Sequence, residues 1–274
     1  MINKAVRAAL LGLSLLAPTY GVASSRQTPA ETAVAVSGAR RGDEAMAVPF
    51  GTGEKFEFEV RFGSIKVGNG SLEVRGVETV RGRDAWHTLF NVQGGTFFYR
   101  VNDSYESWID THNLNSLLFI RQIEEGTRER GQNFEIIPEK GIYIERTRQA
   151  TRTKKTVSQP LDEGAFLYFV RTVPLRVGET YDFNRYFIPD RNPVRVTVLR
   201  KERVTVPAGT FNAIVVKPVI KTKGIFSEKG QAEVWLSDDS ARMLLQVKSK
   251  LSFGSLNLYL KSYTLVAGQA KTRN

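Results

Sequence analysis

Two histidines, His87 and His112, supply the only imidazoles of this 274-residue chain, and it contains no cysteine. Thiol catalysis, disulfides and cysteine-ligated metals are thereby excluded. His87 falls in DAWHTLF, an alternating run that places it on a sheet face, and His112 falls in the turn-like DTHNLN. Both read as structural. A serine nucleophile needs a base and an oxyanion site; no G-x-S-x-G elbow occurs, and FGSI and FGSL read as hairpin turns. The ligand spacing of a zinc site is absent. Ser237, Asp238 and Asp239 form a cluster that would either hold a cation or, as such clusters more often do, bond the backbone amides of a turn. Glu57 and Glu59 stand two residues apart, a pairing that glycoside chemistry uses. Opposite Phe56, Phe58, Val60 and Phe62 they read as the solvated face of a strand. The expectation is a protein that is not an enzyme and takes no cofactor or metal. A carboxylate-based hydrolase is the residual catalytic alternative.

Binding chemistry is better represented. In ERTRQATRTKK, Arg146, Arg148, Arg152 and Lys154 share one parity. If the segment is extended, all four point to one side over roughly 27 Å. The other side, Thr147, Gln149, Thr151 and Thr153, is polar too. Two readings stand: an edge strand whose charges prevent sheet-to-sheet aggregation, or a docking stripe on which arginines hold phosphate or carboxylate groups. Trp108 and Trp235 each precede a turn-and-return hairpin. They are either core residues or the lining of an acyl-chain pocket, with core packing favoured.

These residues need elements to position them. From Glu54 onward apolar and polar residues alternate, the period of a half-buried strand. Further short strands follow, parted by Gly, Asn and Asp. The one helix candidate is PLDEGAFLYFVRTVP. Asp162 is its expected N-cap, acids lie early, Arg171 lies late and Pro174 closes it. Phe166, Leu167, Phe169 and Val170 make it apolar on more than one side, more than a helix resting on a single sheet face requires. Phe166 and Phe169 are therefore candidate ligand-facing residues of a lid.

The chain also resembles itself. VPFGTGEKFEFEVRF from Val48 aligns without a gap on VPLRVGETYDFNRYF from Val173. LEVRGVETV lies over VTVLRKERV, Phe97 over Phe226, Trp108 over Trp235, and Leu117–Leu118 over Leu244–Leu245. The fold expected is all-β: a large antiparallel meander sheet of ten to twelve strands, an open or half-closed barrel built from two similar five-stranded halves, with one short helix. The halves span about 48–130 and 173–265, joined by strands and a helix over 131–172, within a single β domain of residues 48–268. A polar tail covers 269–274.

The first 25 residues have Lys4 and Arg7, then an apolar run from Ala8 to Ala17 and small residues at Gly21 and Ala23. That pattern reads as a cleavable secretory signal over residues 1–23, followed by a flexible leader over 24–47. The absence of cysteine excludes a lipid-anchored form. The formal net charge of +11 suits attraction to anionic envelope surfaces. Nucleic acid is not expected as a partner in that compartment.

GEKFEFEVRFGSIKVGNGSLEV, VPLRVGETYDF, VPAGTFNAIVVKPVI and WLSDDSARMLLQVKSKLSFGSLNLYL resemble the domain-of-unknown-function family 3108, exported proteins of Gram-negative bacteria. The resemblance covers about residues 50–265. It implies a periplasmic location and carries no catalytic residue. A weaker, fold-level similarity is to the periplasmic lipoprotein-carrier half-barrels, in which a helical lid covers an apolar concave face. The expected function is a non-enzymatic periplasmic protein that binds an apolar or amphipathic ligand, a lipid or lipopeptide, through Arg146, Arg148, Arg152, Lys154, Phe166 and Phe169. The alternative is a structural module of the envelope that binds another protein. An outer-membrane barrel is disfavoured by the polar end AGQAKTRN.

Overall fold

A computed structural model describes residues 45–96, 99–221, 226, 231–251 and 254–266. The expected signal segment, nearly all of the leader, Phe97 and the polar tail lie outside the described residues. The first half of the chain runs through β1 (Lys55–Phe62), β2 (Ile65–Val80), β3 (Arg83–Thr96), β4 (Tyr99–Asp110), β5 (Ser116–Glu125), β6 (Arg128–Ile137), β7 (Ile142–Thr147) and β8 (Thr151–Lys155). A helix, α1 (Glu163–Phe169), follows. The rest is β9 (Thr180–Phe183), β10 (Val194–Val206), β11 (Gly209–Val219), β12 (Glu233–Ser237), β13 (Leu244–Leu251) and β14 (Gly254–Thr264).

All fourteen strands belong to one sheet, in the order β8-β7-β6-β5-β4-β3-β2-β1-β14-β13-β12-β11-β10-β9. Each half is a meander, as short connections require. The halves join where β1 pairs with β14, Lys55 opposite Thr264 and Phe62 opposite Leu256, so strands from the two ends of the domain form the middle of the sheet. Among the described residues, the expected open, curled meander with one short helix is the fold observed, with more strands than the ten to twelve anticipated. Alternation sets its two faces: in β1, Phe56, Phe58 and Val60 are buried while Glu57, Glu59 and Arg61 face outward. Gly68 and Gly94 meet across β2 and β3, where a Cβ on Gly68 would stand 2.3 Å from the Gln93 carbonyl oxygen. Only glycines permit that approach between strands.

The two halves repeat one plan. β1–β6 correspond in order to β9–β14, six strands rather than five, with β7 and β8 extra. β2 shifts register against β3 between Val74 and Gly76, and β10 shifts against β11 between Val198 and Arg200. The fourth strands shift directly after their tryptophans, between Trp108 and Ile109 and between Trp235 and Leu236. Trp108 pairs with Leu118 and Trp235 with Gln246. Leu117 therefore corresponds to Leu245, one residue beyond the match that sequence alignment suggests.

The edges β8 and β9 do not pair. The chain segments flanking α1 strap the gap between them. Leu161 and Tyr186 form a parallel bridge, the Phe187 amide donates to the Leu161 carbonyl at 3.0 Å, and the Thr156 hydroxyl donates to the Phe187 carbonyl at 2.7 Å. Arg185 secures the strap through Gln159 O at 2.9 Å and Asn115 Oδ1 at 3.0 Å. The strap drives Phe187 into the concave face of the first half, with ring centroids 5.2 Å from Phe134 and Tyr143 and 6.3 Å from Phe119. α1 itself rests on β3 and β4 of the first half, and the concave face of the second half lies across a cavity from it.

Candidate functional site

Both ends of α1 are fixed by buried polar contacts. Asp162 is its N-cap, as anticipated, with no exposed surface. Its Oδ1 accepts from the Ala165 amide at 2.9 Å and from the Ser107 hydroxyl of β4 at 2.6 Å. Its own amide donates to the Ser116 hydroxyl of β5 at 2.8 Å. Burial pushes the Asp162 carboxyl up to about 6, against these hydrogen bonds, which favour the ion. Gly164 lets the helix start sit against β4: a Cβ there would meet Ser107 Oγ at 2.4 Å.

Just past the helix, Arg171 forks onto Glu54 at 2.6 and 2.7 Å, both side chains 1% exposed. It also donates to the carbonyls of Pro49 and Ala241, each at 2.8 Å. The rings of Phe50, Phe56 and Tyr168 surround its guanidinium. Burial raises the Glu54 carboxyl above its usual range while Arg171 opposes the shift. One arginine thus joins the start of the first half to the β12–β13 turn of the second.

Between these anchors α1 and the sheet enclose an apolar cavity of about 80 Å³. Phe166, Leu167 and Val170 roof it. Val216, Val234, Val247 and Leu258 of the second half form the floor, and Phe90 and Tyr105 of the first half close one side. Glu163 also lines the cavity. Its Oε1 accepts from the Tyr186 hydroxyl at 2.5 Å and lies 3.5 Å from Arg121 Nη1. Burial, together with the neighbouring Glu163, holds the Tyr186 phenol well above its usual range, so it stays a donor.

Of the six candidate ligand residues, the structure brings only Phe166 to this cavity, with 6% of its surface exposed. Phe169 turns away: its ring packs edge-on against Phe183 at 5.0 Å and beneath the Arg185 guanidinium at 4.6 Å. The single basic stripe does not exist. The chain reverses at residues 148–150, and Thr147 and Ala150 close the β7–β8 hairpin. Arg152 stands opposite Glu145 and Lys154 opposite Tyr143, whereas Arg146 stands opposite Thr151 on the other face. Arg146 pairs with Glu135 at 2.9 Å, Arg148 with Glu129 at 2.5 Å and Lys154 with Glu145 at 3.1 Å. A segment polar on both faces carries no apolar signal for where it turns, and the extended reading failed for that reason.

The remaining candidates have structural surroundings. Asp239 Oδ1 accepts from the amides of Ala241 and Arg242 at 3.0 and 3.1 Å, the turn expected of that cluster. Glu57 and Glu59 lie on the outer face beside Lys55 and Arg61. His112 is in the β4–β5 turn beside the Thr111 hydroxyl. His87 stacks on Trp108 at 4.2 Å, with Glu78 at 2.8 Å on one ring nitrogen and Glu106 at 2.9 Å on the other. Trp108 and Trp235 are buried on the convex face, away from the cavity. The residue that sequence reasoning passed over is Glu163, read there only as an early helix acid. Its signal was its position directly after a cap on a helix otherwise apolar all round.

The fold and this site define a class: an open antiparallel β half-barrel whose gap is strapped and whose concave face is partly covered by one short helix. The chain belongs to the family described as protein of unknown function DUF3108, whose model matches residues 57–261. Its fold is similar to that of a β-barrel-like protein of domain of unknown function DUF1849 from Brucella abortus, with 9% identity, a TM-score of 0.51, and coverage of 80% of this chain and 100% of that one. A second similar structure, an inferred lipoprotein from Parabacteroides distasonis, has 12% identity and a TM-score of 0.38, covering 81% of this chain and 100% of that one. No curated protein matches the chain. Among the described residues, no helix is long and apolar enough to cross a membrane.

Proposed function

We propose that this is a non-enzymatic, exported protein of the periplasm that holds an apolar or amphipathic envelope ligand between α1 and the second half of the sheet. The observation that carries the reading is the apolar cavity roofed by Phe166, Leu167 and Val170. Its volume of about 80 Å³ is below the roughly 300–1,000 Å³ of pockets that enclose drug-sized ligands. A full acyl chain therefore requires α1 to lift from β11–β14. The anchors at Asp162 and Arg171 confine that movement to the helix between them. Native mass spectrometry of protein purified without detergent, with solvent extraction of the same material, tests the reading. Recovery of a stoichiometric amphiphile supports it. Material free of any small molecule that also takes up no apolar probe refutes it.

A second reading, an envelope module that binds another protein, has one observation in its favour. β8 is an edge strand with exposed Thr151, Arg152, Thr153 and Lys155, and an edge can add a partner's strand. Capture of one stoichiometric partner by ligand-free protein, lost when Thr153 is replaced by proline, favours it.

A further inference from the structure

Among the described residues, Glu163 is the one charged side chain on the wall of the apolar cavity. Its side chain is only 10% exposed. Oε1 is engaged by the Tyr186 hydroxyl and faces Arg121. Oε2 is buried and finds no hydrogen-bond donor among the described residues. A buried carboxylate oxygen without a donor costs free energy, and a bonded donor restores it. Glu163 thus holds a carboxylate oxygen without a donor directly behind the cavity wall at the start of α1, beside an otherwise apolar lining that includes Val216, Val234, Val247 and Leu258.

We infer that the cavity selects an amphiphile whose head is a neutral hydrogen-bond donor, a hydroxyl-terminated alkyl chain, with the hydroxyl donating to Glu163 Oε2 and the chain lying along β11–β14. This rests on the ligand-binding reading above and assigns the head group within it. Charge decides among heads. A carboxylate would place a second anion against Glu163 in surroundings that screen poorly. An ammonium would add a second cation to a carboxylate that already faces Arg121 at 3.5 Å, and would have to leave water to do so. A hydroxyl supplies the missing donor without adding charge. The resting volume of about 80 Å³ suits a short chain; an apolar cavity of roughly 150 Å³ takes up benzene.

The test is a titration of the full protein, labelled at valine methyls, with 1-hexanol, hexanoate, hexylammonium and hexane at neutral pH. The shifts of Val216, Val234 and Val247 report binding at this cavity. Hexanol is expected to bind about tenfold or more tightly than hexanoate. Affinity along the 1-alkanol series should rise about fourfold per added methylene until the space is full. In Glu163→Gln the hexanol-over-hexanoate preference should fall close to parity. If that variant does not fold, the head-group ranking of the native protein decides alone. Hexanoate binding as well as hexanol overturns the assignment while leaving a ligand-binding cavity intact. Hexylammonium binding more tightly than hexanol also overturns it, in favour of ionic recognition. Silence of all three valines towards all four probes, hexane included, overturns the ligand-binding reading itself.

Discussion

The two halves solve one packing problem in two ways. On the convex face they match closely. In each, the tryptophan of the fourth strand donates its indole N–H to a glutamate of the second strand, Trp108 to Glu78 at 2.7 Å and Trp235 to Glu202 at 2.6 Å. A second glutamate, Glu106 or Glu233, lies two residues before each tryptophan. The nitrogen base between the paired carboxylates differs. His87 from β3 contacts Glu78 and Glu106, whereas Arg200 from β10 donates to Glu202 and Glu233 at 2.8 and 2.9 Å. Trp108 and then His87 hold Glu78 below the usual carboxylate range; Arg200 and then Trp235 do so for Glu202. A guanidinium keeps its charge at any physiological pH and an imidazole need not.

On the concave face the halves diverge. Aromatic rings and Phe187 of the strap fill the first half, while the second half presents mostly aliphatic side chains, with Phe226, to a cavity under α1. The lesson is that the bridge between strands preserves the plan, and the concave contents are where the two copies are free to differ.

The largest test concerns what joins the halves. Arg171→Met leaves Glu54 buried without its partner and should cost about 3–5 kcal/mol in urea unfolding; a loss under ~1 kcal/mol would mean that the halves cohere without it. The packed and hollow interiors are compared next. Phe187→Ala should cost about 3–5 kcal/mol, and Phe166→Ala clearly less, because part of the Phe166 ring already faces a cavity. Equal losses would erase the distinction between the two interiors.

The start of α1, set against the first half, gives a pH test of about 2–3 kcal/mol. The Asp162 carboxyl titrates at about 6 in the folded protein, above the roughly 3.9 of an unfolded aspartate. Between those values the folded state binds more protons. Its contribution to stability is complete below about pH 4 and is lost as pH rises through about 6. Asp162→Asn keeps the acceptor for Ala165 and should flatten that part of the profile in urea melts taken from pH 4 to 7. An unchanged slope would place the titration elsewhere.

The smallest effect sharpens the likeness of the convex faces. Trp108→Phe and Trp235→Phe each remove one indole-to-carboxylate bond at a partly exposed glutamate, and should cost about 1 kcal/mol each. Losses differing by more than ~1 kcal/mol would show that the side chain between the carboxylates, histidine or arginine, matters more than the shared bridge.

Alternation in β1, β10 and β14, the Asp162 cap and the doubled tryptophan motif were legible in the chain, because each depends on period or on neighbours a few residues away. The reversal at residues 148–150 was not, since Arg, Thr and Gln on both faces leave a turn and a strand equally plausible. Glu163 was visible only as an acid in a first helical turn. Its role in the cavity depends on Tyr186, Arg121 and the strands of the opposite half, each brought there by long-range folding.

The sequence alone determined the strand period, the one helix and the internal repeat, all consequences of local sterics and of which side chains leave water. Tertiary structure alone decided that β1 closes on β14, that the strap fills one concave half with Phe187, and that the other half stays hollow. Those outcomes turn on which of several similar apolar faces meet, and similar faces carry no address in the chain until the sheet curls and brings one partner within reach.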